Sequence, residues 1–133
     1  MKIIIAGGRE FNNLRLLAHV CDFLLKEQTD IEIISGMARG ADKLGAYYAK
    51  MRGYKVIEKP APWDEIEGKP SREIRINPNG KKYWILAGNY RNNEMADEGD
   101  ALIAFWDGKS KGTKSTISIA KEQGKKVFVY WNS

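Results

Sequence analysis

Short aliphatic runs alternate along the chain with stretches in which apolar residues recur every three or four positions. Residues 2–6 (KIIIA) are aliphatic almost without interruption, which is typical of a strand buried on both faces of a sheet. Comparable runs predict further strands at residues 31–35, 54–58, 101–106 and 126–131. Helical spacing of the apolar residues predicts helices over residues 13–28, 41–52, 84–97 and 112–123.

Segment 59–82 interrupts this alternation. It holds all four prolines of the chain and shows no clear hydrophobic period. It is also longer than the usual connection between a strand and a helix, so we expect an irregular excursion here: a lid, a hairpin or an oligomer contact.

Strands that alternate with helices predict an α/β fold, here a single Rossmann-like, doubly wound domain over residues 1–133. About five mostly parallel strands would carry helices on both faces, because parallel crossovers are right-handed. Ligands of such folds bind beyond the carboxyl ends of the strands, where the strand order reverses. The loops after the first, second and fourth strands are therefore the candidate sites.

Charge is uneven along the chain. Residues 1–67 carry ten basic and ten acidic side chains, whereas residues 68–133 carry twelve basic and seven acidic ones, so the net charge of +5 belongs to the second half. A localised basic surface favours an anionic partner such as a phosphate-bearing ligand, a nucleic acid or a membrane surface, and the alternative is a solvated, lysine-rich face. Much of the excess falls in 69–82 and in 109–114, which favours a phosphate pocket with a basic rim.

The chain has one cysteine and one histidine. One cysteine excludes a disulfide framework, and the pair cannot complete an ordinary zinc site, so no metal is expected. No apolar run is long enough to span a membrane, and the N-terminal MKIIIAGGREF lacks a secretory pattern. We therefore expect a cytoplasmic protein that begins at Met1 and has no membrane partner.

The first candidate loop, Gly7-Gly8-Arg9-Glu10-Phe11, follows the first strand. Two glycines at a strand end allow a tight turn and a close approach of the backbone to a ligand. Arg9 would then reach a phosphate with its fork of donors. The alternative is an ordinary turn with an arginine on the surface.

The second candidate loop, SGMARGAD at 35–42, again surrounds an arginine with small residues where a helix begins. Asp42 either accepts hydrogen bonds from ribose hydroxyls or complements the helix dipole in the first turn. Exposed amides at that helix N-terminus favour an anion, so we assign ligand contacts to Ser35, Gly36, Met37, Arg39 and Gly40.

The third candidate loop, DGKSKGTKS at 107–115, looks like a Walker A loop, but only three residues separate its glycines. Its glycines, helix N-terminus, hydroxyl groups and lysines still form a suitable anion cradle, the alternative being a flexible charged turn. We predict phosphate binding, but not magnesium-dependent nucleotide hydrolysis, by Asp107, Gly108, Lys109, Ser110, Lys111, Gly112 and Thr113.

Two further positions complete the predicted site. Arg91 shares a helix face with Ala87 and Met95, and an arginine on an otherwise apolar face needs either a structural carboxylate or a ligand anion. Phe11, or Trp106 at the end of a strand beside the cradle, is expected to cover the base of a nucleotide.

These segments, taken in order, resemble the SLOG superfamily of Rossmann-like nucleotide-ligand domains, in particular its small YspA-like branch. The resemblance implies a nucleotide-derived ligand and assembly into homodimers or larger homo-oligomers. Its relatives include the LOG-type phosphoribohydrolases and the single-strand-DNA-binding DprA domain. The residues that carry it are GGREF at 7–11, SGMARGAD at 35–42, AGNYRNNEM at 87–95 and AFWDGKSKGT at 104–113.

The resemblance to the LOG enzymes is incomplete. Their Arg-x-x-x-Met helix and the PGGxGTxxE loop that follows it are matched in this chain by Arg91, Met95, Gly108, Gly112 and Thr113. Thr116 stands where those enzymes carry a catalytic glutamate, so hydrolysis by their mechanism is not expected. The carboxylates that remain as weak catalytic candidates are Glu94, Asp42 and Glu10.

We therefore expect a binding protein for a nucleotide or a nucleotide-derived ligand, of phosphoribosyl or ADP-ribose type, with no required cofactor. One alternative is a hydrolase of an N-glycosidic or phosphoribosyl bond that uses a carboxylate other than the LOG glutamate. A DprA-like module for single-stranded nucleic acid is the third hypothesis, which steep salt dependence of binding would reveal.

Overall fold

A computed structural model describes residues 1–131 of the chain. The strands are β1 (Lys2–Gly7), β2 (Glu32–Ser35), β3 (Lys55–Glu58), β4 (Ile74–Ile76), β5 (Lys82–Trp84), β6 (Ala101–Trp106) and β7 (Lys126–Trp131). The α-helices are α1 (Leu14–Leu25), α2 (Ala41–Arg52), α3 (Ala87–Glu98) and α4 (Lys111–Glu122). None of the helices within residues 1–131 is both long enough and apolar enough to cross a membrane.

Five strands form one parallel sheet in the order β3-β2-β1-β6-β7. The central strand β1 pairs with β2 on one side and with β6 on the other, so the strand order reverses next to β1. This arrangement confirms the predicted α/β, Rossmann-like fold. It also places the ends of β1 and β6 at the point where such folds bind ligands.

Alternate residues of β1 enter two separate cores, because successive side chains of a strand point to opposite faces. Ile3 and Ile5 pack with α1 and α2, and Ile4 packs with α3 and α4. The sheet is thus covered on both faces, and its strands read as aliphatic runs for that reason.

Local signals in the sequence place several helix ends. The side chain of Asn13 accepts a hydrogen bond of 3.0 Å from the Leu16 amide and so caps the start of α1. Gly53 ends α2 in the left-handed conformation, with φ of 76°, as the sequence predicts. The predicted helix over 13–28 ends earlier, at Leu25, and a single turn follows in which the Gln28 amide donates to the Leu25 carbonyl.

The segment between β3 and α3, residues 59–86, is named the insertion here. Of the three alternatives predicted for 59–82, the structure shows a hairpin, formed by the antiparallel strands β4 and β5 after a short 3₁₀ turn at Ser71–Glu73. The helix predicted from residue 84 begins instead at Ala87. Trp84 belongs to the hairpin instead of the helix. It pairs with Ile74 across the two strands and donates its indole N–H to the Glu73 carboxylate at 3.1 Å.

Most basic side chains of the insertion make local contacts rather than a rim around a pocket. Lys69 lies over the Trp84 ring, with its Nζ 4.2 Å from the ring centroid. Arg75 donates to the Arg72 carbonyl at 2.8 Å, and Lys81 pairs with Asp64 at 2.9 Å. These residues therefore do not form the expected basic rim, because their charged groups make contacts within the insertion.

Candidate functional site

A cavity of about 410 Å³ opens at the carboxyl ends of β1 and β6, between α3 and α4. A volume of this size falls in the range of small-molecule sites, roughly 300–1,000 Å³. Its wall is built by the end of β1, the loop before α2, the first turns of α3 and α4, and one side chain of the insertion, Trp63. Five segments that are distant in sequence therefore meet at the switch point of the sheet.

Asp42, in the first turn of α2, is a buried carboxylate on the cavity wall, only 5% exposed. Its Oδ2 accepts a hydrogen bond of 3.4 Å from the Ala38 amide. Burial raises the pKa of Asp42 to about 6, although the positive charge of Arg91 and hydrogen bonds from backbone amides act in the opposite direction. A buried carboxyl group that titrates near neutral pH in a cavity is a typical sign of a functional site.

Arg91 reaches the same place from α3. Its Nη1 donates to the Gly36 carbonyl at 2.6 Å and to the Lys59 carbonyl at 3.4 Å, and its Nε donates to the Asn92 side chain at 3.0 Å. Burial lowers the pKa of Arg91, and the nearby Asp42 charge partly offsets this effect. The sequence predicted a carboxylate or a ligand anion as its partner, whereas its direct protein partners are main-chain carbonyls and an amide side chain.

Gly36 makes room for both of these charged groups. A Cβ at this position would lie 2.5 Å from Nη1 of Arg91 and 2.6 Å from Oδ2 of Asp42, closer than real Cβ contacts allow. Gly36, which was predicted to contact a ligand, therefore lies outside the cavity lining. Its lack of a side chain lets Arg91 and Asp42 come close together.

The loop before α4 is organised by its own side chains. Oδ1 of Asp107 accepts from the amides of Lys109 at 2.8 Å and Ser110 at 2.9 Å. Ser110 caps α4, and its Oγ accepts from the Thr113 amide at 3.4 Å. Within residues 1–131, the amides of Lys111 and Gly112 donate to no protein acceptor, so two donors remain at the positive end of the α4 dipole.

Thr116, at the position that corresponds to the LOG glutamate, gives this part of the cavity wall an uncharged side chain. It is buried, and its Oγ1 donates to the Gly112 carbonyl at 3.1 Å. Asn92, also buried, has its Nδ2 at 3.5 Å from the same carbonyl. Both residues line the cavity, so this part of the wall offers hydrogen bonds but no acid–base group.

The structure brings only part of the predicted site together. The predicted ligand residues that line the cavity are Gly7, Arg9, Asp42, Arg91, Ser110, Lys111, Gly112 and Thr113. Those that lie outside its lining are Gly8, Phe11, Ser35, Gly36, Met37, Arg39, Gly40, Trp106, Asp107, Gly108 and Lys109. Several of the second group shape the loops instead of facing the cavity.

Both aromatic residues predicted to cover a base are engaged elsewhere. Phe11 is buried in the core, with its ring centroid 5.0 Å from that of Phe105. The Trp106 ring lies 5.0 Å from that of Trp131, and its indole N–H donates to the Ser110 carbonyl at 3.0 Å. Neither ring lines this cavity, because each packs against a residue that is distant in sequence.

The two candidate arginines of the first loops have different surroundings. Arg9 is exposed on the cavity wall, and within residues 1–131 its side chain donates to no protein acceptor. Arg39 lies outside the lining and pairs with Glu10 at 2.6 Å in an exposed position. Glu10 and Glu94, two of the three weak catalytic candidates, also lie outside the lining, which leaves Asp42 as the one that faces the cavity.

The remaining loop residues hold the two loops in place. The Gly8 carbonyl accepts from the amides of Phe11 and Ala41, which joins the first loop to the start of α2. Oγ of Ser35 donates to the Asp42 carbonyl at 2.8 Å and accepts from the Met37 amide at 3.1 Å. Met37 has φ of 60°, an uncommon conformation for a residue with a side chain, and it bends the chain toward α2.

Several residues of the cavity wall were not among those predicted from the sequence. Gly88, Asn92 and Met95 share the cavity face of α3 with Arg91, and their spacing of three or four residues was a usable signal. Trp63 gave no such signal, because it lies in a segment without hydrophobic periodicity. The other lining residues outside the predicted set are Ala6, Ala38, Asn89, Ser115 and Thr116.

The chain is similar to known proteins in the sequence of its first half and in its fold. Residues 1–65, which include Arg9, Asp42 and Trp63, match the family model described as YspA, cpYpsA-related SLOG family. DNA processing protein A (DprA) from Streptococcus pneumoniae has a similar solved structure, with a TM-score of 0.72 and 22% sequence identity. The alignment covers 99% of this chain and 50% of the DprA chain, so the chain spans about half the length of that protein. No curated protein matches the chain by sequence.

Proposed function

We propose that this chain, whose residues 1–65 match the model of the YspA, cpYpsA-related SLOG family, binds a nucleotide or a nucleotide-derived ligand of phosphoribosyl or ADP-ribose type. One observation carries the proposal. Arg9, Lys111 and Gly112 all border one cavity at the switch point of the sheet, and within residues 1–131 the amides of the last two donate to no protein acceptor. Such a set of donors favours a phosphate group.

The phosphate would lie at the start of α4. There the amides of Lys111 and Gly112 add to the positive end of the helix dipole, and the exposed Lys111 side chain adds a full charge. Because Asp107 and Ser110 already hold this loop by internal hydrogen bonds, little ordering is needed when an anion arrives. Arg91, held by carbonyl groups, adds a half-buried positive charge to the cavity wall.

The sugar of the ligand would face Asp42. An ionised carboxylate accepts hydrogen bonds from a pair of ribose hydroxyls, as the acidic residue does in dinucleotide-binding Rossmann folds. Since the pKa of Asp42 is about 6, this acceptor is available at pH 7 and is lost in mild acid.

A thermal-shift screen tests the proposal. The panel holds nucleoside mono-, di- and triphosphates, ADP-ribose, ribose 5-phosphate and single-stranded oligonucleotides, and native mass spectrometry counts the bound molecules. We expect a concentration-dependent rise in melting temperature with at least one nucleotide or phosphoribosyl compound, because a ligand that binds only the folded state stabilises it. No shift and no bound mass with any small ligand would refute the proposal, and binding of oligonucleotides alone would favour the DprA-like alternative.

A second candidate function is cleavage of the N-glycosidic bond of such a ligand. The position of Asp42 favours it, since this is the candidate carboxylate that faces the cavity and its pKa of about 6 suits proton transfer near neutral pH. Water would attack the anomeric carbon and lose a proton to Asp42, while the C–N bond breaks and its electron pair leaves with the base. Chromatography after incubation with nucleoside monophosphates and NAD would detect a free base, and Asp42→Asn should abolish its release without abolishing binding.

A homo-oligomer and a cytoplasmic location belong to the same proposal. Strand β7 lies at the edge of the sheet, and it exposes Phe128 and Trp131, 41% and 65% of whose surfaces face solvent. Large aromatic residues on an unpaired edge favour contact with a second copy. Light scattering coupled to size-exclusion chromatography would give the mass, and a monomer at every concentration tested would refute this part.

A further inference from the structure

We infer that Trp63 is the residue by which the cavity selects ligands that carry an aromatic ring, with its indole serving as the surface on which a nucleobase stacks. The inference rests on the proposed function, because it concerns the same cavity. It also gives the insertion a role, since this segment supplies the side chain.

Trp63 differs from Trp84 and Trp106 in the exposure of its ring and in the hydrogen bonding of its indole N–H. It is 38% exposed and borders the cavity, whereas Trp84 is only 8% exposed. Trp84 donates its indole N–H to Glu73, and Trp106 donates to the Ser110 carbonyl, but the indole N–H of Trp63 meets no protein acceptor within residues 1–131. An aromatic side chain with an accessible part of its ring and a free polar tip is suited to a ligand that is itself a flat heterocycle.

The hairpin holds this indole in place without any ligand. The Trp63 carbonyl accepts from the Trp84 amide at 2.9 Å, and its own amide donates to the Ala61 carbonyl at 2.9 Å. The ring of Tyr83 meets the Trp63 ring edge-on, with centroids 6.1 Å apart. Next to it, Asp64 pairs with Lys81 across the hairpin at 2.9 Å. A ring fixed by its neighbours loses little conformational entropy when a base stacks on it.

Gly88 lets α3 approach the indole closely. This residue lies in the first turn of α3, and a Cβ there would come within 3.3 Å of the Trp63 ring. A longer side chain at position 88 would therefore lie against the ring and occupy the surface that a base needs. Gly88 therefore lets α3 lie close to the Cη2 and Cζ2 atoms of the indole, and a base would stack on the part of the ring that Gly88 does not cover.

The cavity thus has two ends of different chemistry. One end, at the start of α4, offers amides and the Lys111 charge, and the other offers the Trp63 ring beside the start of α3. A sugar phosphate without a base can use only the first end. A nucleotide can use both, so the insertion is expected to set the preference for nucleotides over sugar phosphates.

The test compares AMP with ribose 5-phosphate by isothermal titration calorimetry, using the whole chain. Wild-type protein should bind AMP more tightly than ribose 5-phosphate. Trp63→Ala should weaken AMP binding by about 10- to 100-fold, the usual range for loss of one stacked base, and leave ribose 5-phosphate within about twofold. Trp63→Phe should recover most of the loss, because it restores a stacking surface. Phe23→Ala, which removes an aromatic side chain that is 64% exposed on α1, is the matched control and should change neither affinity.

A second variant guards against a folding defect in Trp63→Ala. Gly88→Leu keeps the tryptophan but covers its ring, and it should reduce AMP binding while sparing ribose 5-phosphate. Equal losses for both ligands in the two variants, or equal affinities for the two ligands in the wild type, would overturn the inference and leave the proposed function standing. Failure of the wild type to bind either ligand would overturn both.

Discussion

Arg91 and Asp42 converge directly above Gly36, one from α3 and the other from the first turn of α2. Their charges influence each other, yet the guanidinium of Arg91 is held by the Gly36 and Lys59 carbonyls rather than by the carboxylate. Arg91 therefore connects α3 to the loop before α2 through the Gly36 carbonyl, while the carboxylate of Asp42 remains available on the cavity wall.

Replacing Gly36 by alanine tests this arrangement. The new Cβ would displace the ends of Arg91 and Asp42, and crowding of this kind costs about 1–3 kcal/mol of unfolding free energy. The displaced groups would also weaken nucleotide binding by tenfold or more, an order-of-magnitude expectation for a misplaced charged contact. Urea unfolding and calorimetry would measure both effects, and an unchanged affinity would show that the Arg91–Asp42 arrangement does not shape the site.

The stability of the protein should depend on pH through Asp42. Burial raises the pKa of this group from 3.8 to about 6, so between these values the folded state holds a proton that the unfolded state has released. The contribution of Asp42 to stability is thus fully present below about pH 4 and is lost as the pH rises through 6. The full effect is on the order of 3 kcal/mol.

Asp42→Asn isolates this contribution. The variant cannot ionise, so its stability relative to wild type should rise as the pH increases from 4 to 7. Carboxylates with a lowered pKa, such as Asp22, act in the opposite direction, but they are common to both proteins and cancel in the difference. Denaturation curves at several pH values would measure it, and a difference that does not vary with pH would contradict the prediction.

Asp22 should contribute more to stability than its ion-pair partner. Its Oδ1 accepts from the hydroxyl of the buried Tyr48 at 2.7 Å, and both oxygens accept from the exposed Arg52. Asp22→Ala removes the partner of the Tyr48 hydroxyl and should cost about 1–3 kcal/mol. Arg52→Ala keeps that hydrogen bond and should cost less than about 1 kcal/mol.

Urea midpoints of the two variants would provide the comparison. Asp22→Asn should lie between them, since an amide oxygen still accepts from Tyr48 but carries no charge for Arg52. If Arg52→Ala proved as destabilising as Asp22→Ala, the surface ion pair rather than the hydrogen bond to Tyr48 would be the stabilising contact.

Arg9 and Arg39 form a matched pair for anion binding. Both are exposed arginines on adjacent loops, but Arg9 borders the cavity and Arg39 pairs with Glu10 outside it. Arg9→Ala should weaken binding of a phosphorylated ligand by about 10- to 100-fold, the range for one charge-assisted hydrogen bond. Arg39→Ala should leave the affinity unchanged, so equal losses in a titration would mean that the anion lies between the loops and not in this cavity.

Some features of the molecule follow from the sequence alone. The bounds of α2, β6 and β7 agree with the prediction, and Gly53 ends α2 where expected. These features depend on short-range physical chemistry: aliphatic runs suit strands buried on both faces, and a glycine tolerates the left-handed turn that ends a helix. The position of the site also follows, because parallel strands separated by helices place their loops at one edge of the sheet.

The choice of residues within that edge was decided by the tertiary structure. The sequence left Phe11 available to cover a base, but its ring packs in the core against Phe105. Arg39 pairs with Glu10 on the neighbouring loop. Trp63, from a segment with no periodicity, lies at the cavity and is held there by the hairpin, because its carbonyl accepts a hydrogen bond from the Trp84 amide of β5. Contacts of this kind join residues that are far apart in the chain. A local pattern of hydrophobic and polar positions therefore cannot predict them.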